Sequence, residues 1–204
     1  LRQLLPVIDE ALQRANVKLG DINAIAVHNT PGLVGALLVG VSAAKMLAAT
    51  LDVPLVAVNH VEAHIYAARL AAERDIFPCV GLVVSGGHTA LFRCDDALSL
   101  HLLGSTRDDA AGEAFDKIAR LLDLPYPGGP EISRLAAIAR PSGLQKEFSL
   151  TPPMLNSKDY DFSFSGLKTE VRRMVEHHAP LSDDAKSQIA LSAENAISQV
   201  LIKK

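Results

Sequence analysis

Two histidines four residues apart, His60 and His64, have types and spacing suited to chemistry. On a helix, positions i and i+4 share a face, so the two imidazoles there stand side by side. Neutral imidazole is the commonest metal ligand, and such a pair is a recurring way to hold one divalent ion. Two unrelated polar positions, one of them a satisfied core histidine, would leave the same letters, so spacing alone keeps both readings open. Ser85-Gly86-Gly87 is a second candidate. Successive backbone N–H groups beside a hydroxyl can cradle a phosphate, and the same glycines make an ordinary hairpin turn.

Asp109, Glu113 and Asp116 fall at i, i+4 and i+7 and line one face of a helix. Asp109 suits a helix N-terminus, and Glu113 can pair with Lys117. Asp116 has no partner within the helix apart from Arg120, and is open as a ribose-hydroxyl acceptor or a solvated acid. Lys168, Arg172 and Arg173 form a basic group that either faces an anion, such as phosphate or RNA backbone, or is a solvated face.

These residues need elements to position them. A helix over about 1–15 leads through Gly20 and Asp21 to a buried strand, Ala24–Val27, then to the turn-rich Asn29-Thr30-Pro31-Gly32 and an apolar helix of about 35–51. A second strand, Leu55–Val58, ends in Asn59, a good N-cap for a helix from His60 to about Glu73. This strand–helix–strand–helix order predicts a parallel sheet with helices on its faces, and ligands of such sheets gather beyond the carboxyl ends of the strands. The pattern then changes. Val80–Val84 and Ala90–Phe92 flank the glycine pair as a β-hairpin, with Leu100–Leu103 as a third strand. Asp108 to about Asp123 is an amphipathic helix whose buried stripe is Ala111, Phe115, Ile118 and Leu122.

Pro125-Tyr126-Pro127-Gly128-Gly129-Pro130 reads as a stiff wall before a helix of about 131–139. From Pro141 to Asp159 the chain is irregular, a subdomain connection. Tyr160, Phe162 and Phe164 cluster ahead of Ser165, an N-cap for a helix from Gly166 to His178, where Lys168 opposes the helix dipole.

Composition narrows the class. The 204 residues are 49% hydrophobic and 21% charged, enough for a buried core and one or two domains. A formal net charge of −3 leaves no global basic field for nucleic acid. Two cysteines, Cys79 and Cys94, without CxxC spacing, argue for a reducing compartment and against a thiolate zinc site. Gly32–Leu51 is long enough for a membrane span, but Lys45 and three glycines interrupt it and no basic flanks orient it, so a helix buried between layers is expected. No signal peptide is visible. The chain starts at Leu1 in a helical pattern and stops at Lys204 inside an apolar stripe, Ile189, Ala193, Ile197, Val200 and Leu201, so a piece of a longer protein is expected.

Taken together, six stretches resemble the TsaD/Gcp family of tRNA adenosine threonylcarbamoyltransferases. They are Pro31-Gly32-Leu33-Val34-Gly35, Asn59-His60-Val61-Glu62-Ala63-His64, Val84-Ser85-Gly86-Gly87-His88-Thr89, Asp108–Lys117, Tyr126–Pro130 and Asp161–Thr169. The acidic-helix and Phe-Ser-Phe-Ser-Gly-Leu-Lys-Thr segments are the most specific. The resemblance implies an α/β, actin/Hsp70-like (ASKHA, ribonuclease H-like) fold, present as an incomplete fragment. Residues 1–78 would be the remainder of an N-terminal lobe carrying the His pair, and 79–204 a second lobe with the hairpin and nucleotide-binding loop.

It also implies transfer of the threonylcarbamoyl group from threonylcarbamoyl-adenylate to N6 of the adenosine beside the anticodon of ANN-decoding tRNAs, with release of AMP. One Fe2+ or Zn2+ ion would be held by His60, His64 and an Asp beyond Lys204. The nucleotide would be held by Val83, Val84, Ser85, Gly86, Gly87, Asp116 and Gly129. The implied partners are tRNA, a TsaB-like paralogue and a TsaE-like ATPase, in the cytoplasm, with no membrane and no DNA. A fragment on its own would bind metal weakly and would not turn over. Thr30 stands where the family's turn has Gly, and Ala63 where it often has Gly.

Two rivals remain. A metallopeptidase would place its acid directly after the first His, where this chain has Val61, and Glu62 points about 200° around the helix from His60. A non-catalytic scaffold of the same fold would have no need of the His pair.

Overall fold

The computed structural model describes residues 3–141 and 148–204, and the chain divides into two units, 1–74 and 75–204. In the first unit α1 (Leu4–Ala15) and a short 3-10 turn precede β1 (Ile25–Thr30), α2 (Val34–Leu51), β2 (Leu55–Asn59) and α3 (His60–Ala71). The strands β1 and β2 pair in parallel, with Ile25 opposite Leu55 and His28 opposite Val58. A bulge then brings Thr30 opposite Asn59. Both strands therefore finish at one carboxyl edge, and α3 starts there without a loop. Asn59 is its N-cap: the side-chain oxygen accepts from the N–H groups of Val61 at 2.9 Å and Glu62 at 3.4 Å.

The helix α2 forms as expected, packing on β1 and β2, but it is not buried between layers. Only Ala44 and Ala48 are buried, while Leu33 at its N-cap, Val34, Leu38 and Met46 are exposed. The strands β1 and β2 cover one stripe of this 18-residue helix. It is, among the described residues, the one helix long and apolar enough to cross a membrane.

The second unit opens with an antiparallel sheet in the order β3-β4-β5: β3 (Cys79–Val84), β4 (Thr89–Cys94) and β5 (Leu100–Ser105). Helices α4 (Ala111–Leu121), α5 (Gly128–Ala139), α6 (Ser165–His178) and α7 (Asp183–Lys203) follow. The core lies on α4, which packs against α5, α6 and α7 through the fully buried Ala114, Ile118 and Leu122, among others. Phe162 and Phe164, both 0% exposed, stack at 6.3 Å and plug this core. The helix α5 begins at Gly128, earlier than expected, with the Gly-Gly-Pro inside its first turn rather than ahead of it. Proline fits there because a first-turn N–H has no helical partner to lose. Of the irregular Pro141–Asp159 stretch, residues 142–147 lie outside those described, as do Leu1 and Arg2.

The segment around Phe162 runs beside the end of β5. Phe162 donates to Ser105 O at 3.1 Å, and Arg107 N–H returns to Phe162 O at 2.9 Å. Arg107 fastens the same segment by its side chain, to Asp161 at 2.9 Å and Asp159 at 2.8 Å. Its N-cap is not Ser165 from within: α6 starts at Ser165 with no side-chain cap of its own. Instead Asp108 reaches across. Its carboxylate accepts from Phe164 N at 2.8 Å, Ser165 N at 3.2 Å, Ser165 Oγ at 2.8 Å and Ser163 Oγ at 2.5 Å. That negative charge offsets Lys168, which sits unfavourably in the first turn.

Burial pushes the Asp108 carboxyl up, but the Ser163 hydroxyl, the Phe164 N–H and the Ser165 hydroxyl and N–H outweigh it and hold it below its usual range. A carboxyl depressed in the folded state stabilises above its unfolded value of about 4 and loses that contribution as pH falls through the lower folded value. Asp108→Ala is expected to cost about 1–2 kcal/mol at pH 7. The gap to wild type should close below about pH 4. Thermal melts across pH measure this, and a gap independent of pH would contradict the charge argument.

Candidate functional site

In the first unit the site is built at the carboxyl edge of β1 and β2. Asn59 fixes the start of α3, so His60 and His64 stand one turn apart on the same side. Their rings are 4.8 Å apart between centroids, at 65° to one another, with His60 half-buried and His64 exposed. Two imidazoles bound to one ion at about 2.1 Å, with bond angles between 90° and 109°, have centroids roughly 4.5–5.3 Å apart. A centroid separation of that size is common to two imidazoles sharing an ion and to two rings packed edge to face. Among the described residues no group of three or more His, Cys, Asp or Glu is arranged to hold a metal. Sequence reasoning missed a third imidazole beside it: His28 on β1 lies 5.3 Å from the His60 ring. Strand register could have found it, since His28 pairs two residues ahead of His60.

In the second unit one face of α4 gathers the other candidates. The turn from Ser85 to His88 joins β3 to β4; Ser85 Oγ accepts from His88 N at 3.0 Å, and Ser85 N donates to His88 O at 2.8 Å. The Ser85 hydroxyl thus closes the turn. Val83 and Val84 are the last residues of β3, Val83 buried and Val84 exposed, paired with Ala90 and Thr89. The turn leans on the start of α4: Gly112 N donates to Ser85 O at 3.2 Å, and the buried Thr89 hydroxyl accepts from Ala111 N at 2.9 Å. A Cβ on Gly112 would meet Ser85 O at 2.7 Å and Gly86 N at 2.9 Å, so only glycine permits this approach. A glycine inside a helical pattern is the signal that could have found it.

One turn along α4, about 6 Å away, stands Asp116. Its partner is neither Arg120 nor solvent alone: Asp116 Oδ1 accepts from Gly128 N at 2.8 Å and caps α5. Gly128 in turn sits against α4, where a Cβ would come within 2.7 Å of Asp116 Cα. The hairpin turn and the N-terminus of α5 are thereby held side by side along one helix face. Gly86 and Gly87 are exposed, and among the described residues their N–H groups enter no hydrogen bond. A Cβ at Gly86, Gly87 or Gly129 would meet nothing within 4 Å, so open space lies in front of all three. Asp109 and Glu113, by contrast, are occupied by Lys117, at 2.6 and 2.9 Å. The Asp109 hydrogen bond, then Glu113, raise the Lys117 ammonium above its usual value. Arg172 and Arg173 are exposed and Lys168 half-exposed on α6.

The glycine turn and the start of α5, braced on one helix with a carboxylate between them, belong to a mixed α/β protein. The chain matches the family TsaD, tRNA N6-adenosine threonylcarbamoyltransferase, over residues 1–204, and it belongs to that family. Its own architecture is mixed α/β, a parallel strand pair with helices in one unit and an antiparallel sheet with helices in the other. Proteins named tRNA N6-adenosine threonylcarbamoyltransferase from Rhodopirellula baltica and Syntrophobacter fumaroxidans are 48% and 50% identical to it, over 100% and 98% of this chain. One from Symbiobacterium thermophilum is 50% identical over 100%. The chain spans about three fifths of the length of these relatives, 58%, 60% and 58% respectively. Among solved structures it is similar to YeaZ from Pseudomonas aeruginosa, with a TM-score of 0.36 and 22% identity over 49% of this chain and 48% of that one.

Proposed function

We propose that this chain is part of an enzyme that transfers a threonylcarbamoyl group from threonylcarbamoyl-adenylate to N6 of the adenosine beside the anticodon of ANN-decoding tRNAs, releasing AMP. The observation that carries the reading is the gathering of Ser85–Gly87, Asp116 and Gly128–Gly129 along one face of α4. Backbone N–H groups of Gly86 and Gly87 bind the phosphate and stabilise the charge that grows on it as AMP departs. The oxygen of Asp116 that Gly128 does not use accepts from a ribose hydroxyl, and Gly129, in the first turn of α5, adds an N–H to the anionic end. Val83 and Val84 hold the turn at the end of its strand.

His60 and His64 are the residues of this chain that would hold one Fe2+ or Zn2+ ion, and their spacing supports it. A divalent ion in that position supplies Lewis acidity at a carbonyl. The exposed Arg172 and Arg173, with Lys168, suit an RNA backbone. Partners in this reading are tRNA, a TsaB-like paralogue and a TsaE-like ATPase, and the place of work is the cytoplasm, where tRNA is.

The test is modification by the full-length protein that contains this chain. His60→Ala with His64→Ala is expected to lower threonylcarbamoyladenosine in tRNA by about 100-fold or more, measured by nucleoside mass spectrometry, while AMP binding persists. Retained modification would mean a scaffold instead.

A further inference from the structure

We infer that Cys79 and Cys94 form a redox-sensitive pair, which exchanges with a low-molecular-weight disulfide such as oxidised glutathione and closes a disulfide across the open end of the β3–β4 hairpin. The inference is independent of the nucleotide and metal readings. Antiparallel register sets Cys79, the first residue of β3, opposite Cys94, the last of β4. The glycine turn fixes what kind of opposition this is. Ser85 N donates to His88 O at 2.8 Å, which makes Ser85 and His88 a hydrogen-bonded pair. Such pairs recur at every second step of an antiparallel ladder, so Val83–Ala90, Gly81–Phe92 and Cys79–Cys94 are of the same kind. Their Cα atoms lie about 5.5 Å apart and their side chains share one face of the sheet. Disulfides span Cα separations of about 4.4–6.8 Å, most often near 5.5–6 Å, so the bond closes here without a slip of register.

Both cysteines stand as free thiols, as a reducing compartment keeps them, but they are not equivalent. Cys94 is 0% exposed, whereas Cys79 is half-buried. Burial, then the charge of Cys79 and a hydrogen bond with its side chain, push the Cys94 thiol up, and Asp95 adds to them against the Gly81 N–H. That hydrogen bond puts the two sulfurs within reach of each other. A disulfide in solution therefore meets Cys79 first. The Cys79 thiolate attacks one sulfur of oxidised glutathione, and a glutathione thiolate leaves and takes up a proton. Cys94 then gives up its proton and attacks Cys79 Sγ, and the second glutathione leaves with that proton. Two protein thiols are oxidised to one disulfide, and one glutathione disulfide is reduced to two thiols. The second step needs no diffusional encounter, because its partners are already neighbours. The ring so closed contains the Ser85–Gly87 turn and both strands that hold it.

The experiment exposes the full-length protein that contains this chain to oxidised glutathione, then blocks free thiols with N-ethylmaleimide. Trypsin cuts after Arg74, Arg93 and Arg107, so the cysteines fall in separate peptides, 75–93 and 94–107. The expected result by mass spectrometry is these two peptides cross-linked, carrying no glutathione and separated by dithiothreitol. Cys94→Ala is expected to hold one glutathione at Cys79, and Cys79→Ala to slow the reaction of Cys94 about tenfold or more. Circular dichroism checks that both variants fold, and the wild-type peptide map decides the pairing without them. Wild-type peptides that stay separate, whether blocked by maleimide or carrying glutathione, overturn the pair. Cys94 that reacts at the wild-type rate in a folded Cys79→Ala variant overturns the order of attack.

Discussion

Gly104→Ala is expected to lower the melting temperature of the 75–204 unit by roughly 10 °C or more, for a loss of about 3 kcal/mol or more. Gly104 is buried in β5, and a Cβ there would lie 2.2 Å from Tyr160 O, 2.3 Å from Tyr160 C and 2.8 Å from Asp161 N. All three atoms are backbone, so no side chain can swing aside. The Tyr160–Phe162 segment must leave β5, and with it would go the Phe162 bonds to Ser105 and Arg107 and the seating of Phe162 and Phe164 in the core. Gly166→Ala is the control. It lies in the first turn of α6 with nothing within 4 Å of an added Cβ, so it is expected to be neutral or to gain up to about 1 kcal/mol from helix propensity. Circular dichroism melts of the two variants give the answer; equal melting would show that the segment does not need its contact with Gly104.

The second large effect is on ligand rather than fold. Gly112→Ala puts a methyl group 2.7 Å from Ser85 O and 2.9 Å from Gly86 Cα and N, again backbone. The hairpin turn has to move off α4, breaking the Gly112–Ser85 hydrogen bond and displacing the Gly86 and Gly87 N–H groups from Asp116 and α5. Overpacking of this kind costs about 1–3 kcal/mol, which a unit with this core survives. AMP affinity of the full-length protein is expected to fall about 100-fold, because donors placed for a phosphate lose their worth when shifted by an ångström. Calorimetric titration with AMP measures it. Unchanged affinity in a folded Gly112→Ala variant would remove the glycine turn from the nucleotide site.

Local rules made several elements readable from the letters. Asn59 announced the start of α3 because its short side chain can reach the N–H groups of Val61 and Glu62, a contact confined to three residues. The hairpin and the stripe of α4 were legible for the same reason, since period and turn chemistry are local. What stayed hidden was decided across the chain. Ser165 looks like a cap, yet the carboxylate that caps α6 comes from Asp108, and no pattern in either segment states that pairing. Asp116 looked unpartnered because Gly128 is remote in α4's own register but adjacent once α5 packs down. The helix α2 read as buried because composition reports what a helix prefers to contact, not how much sheet is there to contact it. His28 was silent until strand register set it beside His60.

Asp108 has a consequence for communication within the second unit. The residues after it run through Ala111 and Gly112, which the hairpin holds, while its carboxylate grips the first amides of α6. The glycine turn and the start of the helix that carries Lys168, Arg172 and Arg173 are thus tied to the two ends of one short stretch of backbone, Asp108–Gly112. Deuterium uptake at the Phe164 and Ser165 amides, with and without AMP, measures whether the two ends of that stretch move together.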